Sequence, residues 1–180
     1  SWPKPLQLAI NFSPVQFRHG DLANVVHAIL TETGLSLKRL EVEITEGVLI
    51  GDFSRAVSIL RRLKSLGVRI AMDDFGTGYS SLSYLQSFPF DKIKIDQTFI
   101  SNLERNQQSP TIIRAVIGLA RGLKLPVVAE GVETREQLDF LAKEHCDEVQ
   151  GYLIGRPRPI EDYAELTGAP AAPHKARAAG

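Results

Sequence analysis

The sequence alternates short apolar segments of strand length with longer segments whose apolar residues recur at helical spacing. Strict alternation of strand and helix requires a parallel sheet with helical crossovers, which both an open doubly wound sheet and a closed barrel provide. Five helices are predicted between the strands, including a short one at 80–88. The six predicted strands lie at 6–11, 40–46, 69–73, 92–96, 127–130 and 148–152.

Polar residues inside the strands decide between these two architectures. Lys92, Lys94 and Asp96 share one face of their strand, whereas Ile93 and Ile95 share the other. The second strand alternates glutamates with aliphatic residues in the same way. An open sheet that is buried on both faces favours continuously apolar strands, so the alternation favours a barrel with a polar interior. We therefore predict an α/β fold, a parallel TIM-like β/α barrel, here incomplete with six of the usual eight strands.

Size and charge limit the possible functions. A chain of 180 residues fits one domain, which we place at 1–167, and the Ala- and Pro-rich segment 168–180 is predicted to be a disordered tail. Lys plus Arg and Asp plus Glu both number 21, so no net charge favours a nucleic acid polymer or an anionic membrane as partner. No apolar run is long enough to span a bilayer.

The single cysteine, Cys146, cannot form an internal disulfide, which fits a reducing compartment, so we expect a cytoplasmic location. The chain opens at Ser1 and enters a strand almost at once. We expect it to be part of a longer protein, in which any membrane anchor lies outside this segment.

Polar residues mark the carboxyl end of every predicted strand. In a β/α barrel these ends converge on one face, so residues that are distant in sequence meet in one pocket. Carboxylates held so close repel one another unless a cation joins them. Oxygen ligands suit Mg²⁺ or Mn²⁺, whereas the four histidines lie elsewhere and none is predicted to bind metal. The residues at the strand ends are Asn11, Glu43, Asp73, Asp74, Lys94, Asp96, Glu130 and Gln150.

The adjacent pair Asp73 and Asp74 is informative because neighbours on a regular strand point to opposite faces. Both side chains can reach the pocket only where the strand ends and its loop begins. One of these carboxylates could then bridge two metal ions. Two metal ions about 3.5–4 Å apart generate a hydroxide and stabilise an in-line displacement at phosphorus. Lys94 would add positive charge beside the phosphate or the water. The pattern predicts two-metal cleavage of a phosphate ester.

Six motifs in order make the chain similar to the EAL family of bacterial cyclic di-GMP phosphodiesterases. The matching segments are Ile10-Asn11-Phe12-Ser13-Pro14, Glu43-Ile44-Thr45-Glu46, residues 73–82, Lys94-Ile95-Asp96, Ala129-Glu130-Gly131-Val132-Glu133 and Val149-Gln150-Gly151-Tyr152. The resemblance implies a modified eight-stranded β/α barrel that hydrolyses cyclic di-GMP to linear pGpG with Mg²⁺ or Mn²⁺. It also implies a homodimer and an upstream sensory or GGDEF-type domain in the parent protein.

The same resemblance assigns roles to individual residues. Lys94 and Glu130 would be catalytic, and Glu46 would anchor the loop at 76–81, which lies near the dimer contact. Asp96, Glu133 and Gln150 would support the site or contact substrate. The metal ligands would be Asn11, Glu43, Asp73, Asp74 and Glu130.

One family feature is absent from the sequence. The glutamate of the motif that names the family belongs to an earlier strand, so we predict that this chain alone is inactive or nearly so.

Two other functions are less consistent with the sequence. A non-catalytic cyclic di-GMP receptor module would show substitutions among the strand-end acids, and every acid that can be checked is intact. A sugar-phosphate barrel would need more glycines after the last two strands than Gly131 and Gly151.

Glu41 and Lys92 are interpreted as a structural charge pair below the site. For Glu133, a helix-start role and a functional role are equally favoured.

Overall fold

The computed structural model describes residues 6–18, 20–77, 85, 87–88, 90–103 and 105–163. Six strands form one sheet in chain order, and each pairs in parallel with the next. This confirms the predicted six-stranded parallel α/β architecture. The strands are β1 (Leu8–Phe12), β2 (Leu40–Thr45), β3 (Arg69–Phe75), β4 (Lys92–Ile95), β5 (Val127–Ala129) and β6 (Glu148–Val149).

Helices follow the strands along the described chain. They are α1 (Pro14–Arg18), α2 (Leu22–Thr33), α3 (Gly47–Ile50), α4 (Phe53–Ser65), α5 (Gln97–Ser101), α6 (Ser109–Gly122) and α7 (Arg135–Lys143), with 3-10 turns at Leu37–Arg39 and Ile160–Tyr163. Thr134 and Gln137 form a capping box at the start of α7. Most of the helix predicted at 80–88, and the whole tail at 168–180, lie outside the described residues.

The two faces of the sheet differ as the sequence predicts. Val42, Ile44, Ile70, Ile93 and Ile95 are completely buried and belong to the hydrophobic core. Helix residues complete this core, among them Leu60, Leu63, Ile113 and Leu141. The opposite face carries the charged residues Glu41, Glu43, Asp73, Lys92 and Lys94. Because the core lies on the helix side, the polar face is left for a functional site.

The sheet has two edge strands in the described part of the chain, β1 and β6, which are each paired on one side. Leu8 on β1 is 49% exposed, and Ile154, shortly after β6, is 61% exposed.

No helix among the described residues has the length and apolar character that a bilayer crossing requires.

Strand β6 ends at Val149, earlier than the predicted end at residue 152, because the chain enters a turn at Gly151, where the Ile154 amide donates to the Gly151 carbonyl at 3.1 Å. The Val132 amide donates to the Gln150 carbonyl at 3.0 Å, and the Gln150 amide donates to the Ala129 carbonyl at 2.9 Å. Gly151 makes this approach possible, since a Cβ there would lie 2.2 Å from both the backbone N and O of Val132.

Replacing Gly151 with alanine is therefore expected to lower the free energy of unfolding by roughly 1–3 kcal/mol, the usual effect of forcing a methyl group into packed structure. Urea denaturation of the chain measures the change. Gly155→Ala is the matched control, because a Cβ at Gly155 meets nothing within 4 Å. Equal stability of the Gly151 variant and the control would contradict the prediction.

Candidate metal and catalytic site

Lys94 lies at the centre of a buried cluster of carboxylates at the carboxyl ends of the strands. Its Nζ is 2.9 Å from Oε2 of Glu43 on β2 and 3.1 Å from Oδ1 of Asp73 on β3. It is 2.6 Å from Oε1 of Glu130, the residue that follows β5. An ammonium group has three hydrogens, so these three carboxylates use its whole donor capacity. Four separate segments of the chain thus meet at one point.

Burial and charge shift the protonation of this cluster. Burial disfavours the charged form of Lys94, but its hydrogen bonds to Glu130 and Glu43 outweigh that effect and raise the pKa of Lys94 above its usual value. Burial also raises the pKa of Glu130; the contact with Lys94 opposes this rise, and the neighbouring Asp73 and Glu43 add to it. The ammonium therefore stays charged, while the carboxylates around it repel one another.

Asp73 and Asp74 reach the same pocket through an irregularity in β3. The pairing with β4 shifts register between Met72 and Phe75, and Asp74 has a φ of +52°, which is unusual for a residue with a side chain. The Asp74 amide donates to Oδ1 of Asp73 at 3.1 Å. Burial and the charges of Asp73 and Asp96 raise the pKa of Asp74. Strand β3 thus departs from regular geometry at the adjacent aspartates, as the sequence predicted.

These carboxylates have the geometry of a cation site. Oxygens of Asp73, Asp74 and Glu130 lie within 4.8 Å of one another. With Glu43 the site has four carboxyl groups, three of which contact the ammonium of Lys94, so negative charge exceeds positive charge there. Hard oxygen donors with excess negative charge suit Mg²⁺ or Mn²⁺. The donor set therefore fits a divalent metal ion.

A second layer of charge lies one residue pair below the site. Lys92 Nζ is 3.5 Å from Oε1 of Glu41 and 3.1 Å from Oε2 of Glu148. Arg69 Nε is 3.5 Å from Oε2 of Glu41. The charge pair expected between Glu41 and Lys92 is therefore present.

Two of the other predicted residues lie close to the cluster. Asn11 pairs directly with Glu43 in the sheet, so both side chains leave the same face, although Asn11 is exposed on the edge strand. Asp96 caps α5 by accepting from the Thr98 amide at 2.9 Å, and it also accepts from the Thr98 hydroxyl.

Glu133 and Gln150 lie farther out, with exposed side chains. The amide of Glu133 donates to Oε1 of Gln137 at 2.7 Å, which ties its backbone to the start of α7. Gln150 contributes the backbone bonds between β5 and β6. The structure does not bring either side chain into the carboxylate cluster.

Glu46 links the end of β2 to the segment after β3, because its Oε1 accepts from the Gly76 amide at 3.2 Å. Residues 78–81 of the loop that Glu46 is predicted to anchor lie outside the described residues.

Comparison with protein families agrees with this geometry. Residues 1–157 match the EAL domain family. The chain belongs to this family. It is 60% identical over 161 residues to an uncharacterized signaling protein of Caulobacter vibrioides, covering 89% of the chain and 20% of that protein. It is 42% identical over 154 residues to the bifunctional diguanylate cyclase/cyclic di-GMP phosphodiesterase MucR of Pseudomonas aeruginosa, covering 86% of the chain and 22% of MucR. The EAL chain thus spans about a fifth of these relatives' length.

Solved structures of EAL proteins have the same fold. A PaMucR phosphodiesterase in complex with c-di-GMP superposes with a TM-score of 0.84 at 41% identity, covering 87% of this chain and 64% of that one. A manganese and cyclic di-GMP complex of BlrP1 from Klebsiella pneumoniae gives a TM-score of 0.77 at 36% identity, covering 84% and 39%. Both of these related structures therefore contain the cyclic dinucleotide, and the BlrP1 structure also contains manganese.

One contact at the rim of the EAL site was not predicted from the sequence. Gly131, directly after Glu130, has a φ of +71°, and a Cβ on it would lie 2.6 Å from Cβ of Gln97. The glycine after a strand-end acid was the available signal, but its partner is 34 positions away by residue number and becomes visible only when β4 and β5 are paired.

Proposed function

We propose that the protein containing this EAL chain is a divalent-metal-dependent phosphodiesterase that hydrolyses cyclic di-GMP to linear pGpG. The observation that carries the proposal is the meeting of Glu43, Asp73 and Glu130 around Lys94, with Asp74 beside them. This cluster combines a cation site with positive charge next to it. The likeness to a phosphodiesterase in complex with c-di-GMP supports this choice of substrate.

Each residue has a proposed role. Asn11, Glu43, Asp73, Asp74 and Glu130 would hold Mg²⁺ or Mn²⁺, in a site for two ions. When bound, the metal ions supply an activated water and stabilise charge on the phosphate oxygens.

The chain's own groups prepare this chemistry. Lys94 holds three carboxylates in fixed positions and offsets part of their repulsion. Glu130, which accepts from Lys94 at 2.6 Å, would contact a metal ion or the attacking water. Asp96, Glu133 and Gln150 would support the site or contact substrate at its edge, and Glu46 would hold the following loop.

We also propose that the protein is a cytoplasmic homodimer with an upstream sensory or GGDEF-type domain. The description of MucR as a bifunctional cyclase and phosphodiesterase supports the second domain. The 180-residue chain by itself is proposed to be inactive or nearly so. It covers 64% of the PaMucR structure, and β1 and β6 are edge strands in its described part.

The test compares the full-length protein with the 180-residue chain, each given Mn²⁺ and cyclic di-GMP. Chromatography measures the conversion of cyclic di-GMP to pGpG. The full-length protein is expected to catalyse this conversion. The 180-residue chain is expected to be at least a hundredfold slower, which corresponds to a barrier higher by on the order of 3 kcal/mol. Binding without hydrolysis by the full-length protein would favour a receptor and contradict the proposal. Rapid turnover by the chain would contradict its proposed inactivity.

A further inference from the structure

A polar side chain with no assigned role lies at the rim between the strands that carry Lys94 and Glu130. Gln97 is the first residue of α5, directly after Asp96. The Glu130 amide donates to the Ile95 carbonyl at 3.1 Å, so the pairing of β4 with β5 continues to the rim. This pairing brings Gln97 beside Gly131.

The contact with Gly131 fixes where the Gln97 side chain lies. A Cβ built on Gly131 would be 2.6 Å from Cβ of Gln97 and 3.6 Å from its Oε1. The amide therefore lies over the backbone of the residue that follows Glu130. The Gln97 side chain is exposed, and no hydrogen bond joins its amide to another described residue. Its two N–H groups are thus available to a ligand in the site.

The site needs such a donor. Glu43, Asp73 and Glu130 already accept the three hydrogens of Lys94. An ionised carboxylate accepts hydrogen bonds but cannot donate one. These carboxylates repel an anionic phosphodiester, so beside the proposed metal ions the site needs neutral or cationic donors at its rim. Among the described rim residues, Gln97 offers an amide between the strands of Lys94 and Glu130.

We infer that the Gln97 side-chain amide donates a hydrogen bond to a phosphate oxygen of the bound cyclic dinucleotide. This inference rests on the proposed function, because it assigns a substrate contact within the same site. It makes Gln97 a determinant of substrate affinity and gives it no part in metal binding.

The test uses the full-length protein with Mn²⁺ and compares Gln97→Ala, Gln97→Glu and the natural sequence. The alanine variant is expected to raise KM for cyclic di-GMP about fivefold to tenfold, the usual effect of losing one net hydrogen bond, with kcat within twofold. Its Mn²⁺ affinity, measured by calorimetry, is expected to be unchanged. Gln107→Ala, an exposed position before α6, is the matched control and should match the natural protein.

The glutamate variant separates a phosphate contact from a base contact. Glutamate cannot donate when ionised and repels a phosphate, so KM is expected to rise roughly tenfold above that of the alanine variant. If the amide instead accepted from the guanine N–H groups, glutamate would bind at least as well as glutamine.

Three results would overturn the inference: a KM for Gln97→Ala within twofold of the natural value, weaker Mn²⁺ binding in that variant, or tight substrate binding by Gln97→Glu. If the natural protein binds cyclic di-GMP without hydrolysing it, the phosphodiesterase proposal fails, and Kd replaces KM in the same comparison. Absence of binding by the natural protein would overturn both proposals.

Discussion

Replacing Lys94 with methionine is expected to lower the free energy of unfolding of the chain by roughly 3–5 kcal/mol, the usual cost of removing one partner from a buried ion pair. Lys94 and its partners Glu43 and Asp73 are buried, and its Nζ is the cation that contacts both of them and Glu130. Without it, carboxylates remain close together in a site with little water to screen them. Urea denaturation at neutral pH measures the loss.

Manganese should distinguish this electrostatic cause from a simple packing defect. Because the variant keeps every proposed metal ligand and loses a competing cation, Mn²⁺ is expected to stabilise it more than it stabilises the natural chain. Arg62→Met is the control, since the pair of Arg62 Nη1 with Asp21 Oδ1 at 2.8 Å has about half-exposed side chains and should contribute at most about 1 kcal/mol. An equally small loss in the Lys94 variant would show that the cluster does not depend on its ammonium.

The sequence predicted the parts of the fold that depend on local pattern. Alternation of Ile93 and Ile95 with Lys92 and Lys94 is a property of a single strand, and the structure has the aliphatic pair in the core and the lysines on the other face. The convergence of the strand-end acids needed only one further rule, that parallel strands end on the same side. The double aspartate even located the irregularity, because both side chains can face the pocket only where β3 departs from regular geometry.

Features that depend on the order of strands in the sheet were not predicted. Asp147, just before β6, accepts from the Val127 amide on β5 at 2.9 Å, and Asp91, just before β4, accepts from the Ile70 amide on β3 at 2.8 Å. Each aspartate satisfies a backbone donor at the start of the preceding strand, a repeated device that sequence spacing alone does not reveal. The short helices α1, α3 and α5 were missed as well, because five or fewer residues show no helical periodicity.

The assignment of metal ligands can be tested by comparing two glutamates on one strand. Glu43 and Glu41 lie two residues apart on the same face of β2, and both are buried. Glu43 contacts Lys94 in the carboxylate cluster. Glu41 contacts Lys92 and Arg69 in the second layer of charge below that cluster. The two glutamates therefore have the same charge, are both buried and lie on the same strand. They differ mainly in the layer to which they belong: Glu43 is in the carboxylate cluster and Glu41 is in the layer below it.

Glu43→Gln in the full-length protein is expected to weaken Mn²⁺ binding by more than about a hundredfold, beyond the 10- to 100-fold typical of residues that only orient a ligand, and to reduce cyclic di-GMP turnover at least as much. The amide keeps the shape of the side chain but removes a negative charge that strengthens metal binding. Glu41→Gln should leave Mn²⁺ affinity and turnover within about threefold of the natural values, because its layer carries structural charge. Calorimetric titration with Mn²⁺ and a pGpG assay measure both quantities. Normal Mn²⁺ affinity in the Glu43 variant would remove Glu43 from the ligand set, and equal losses in both variants would indicate that the two layers act as one charge network.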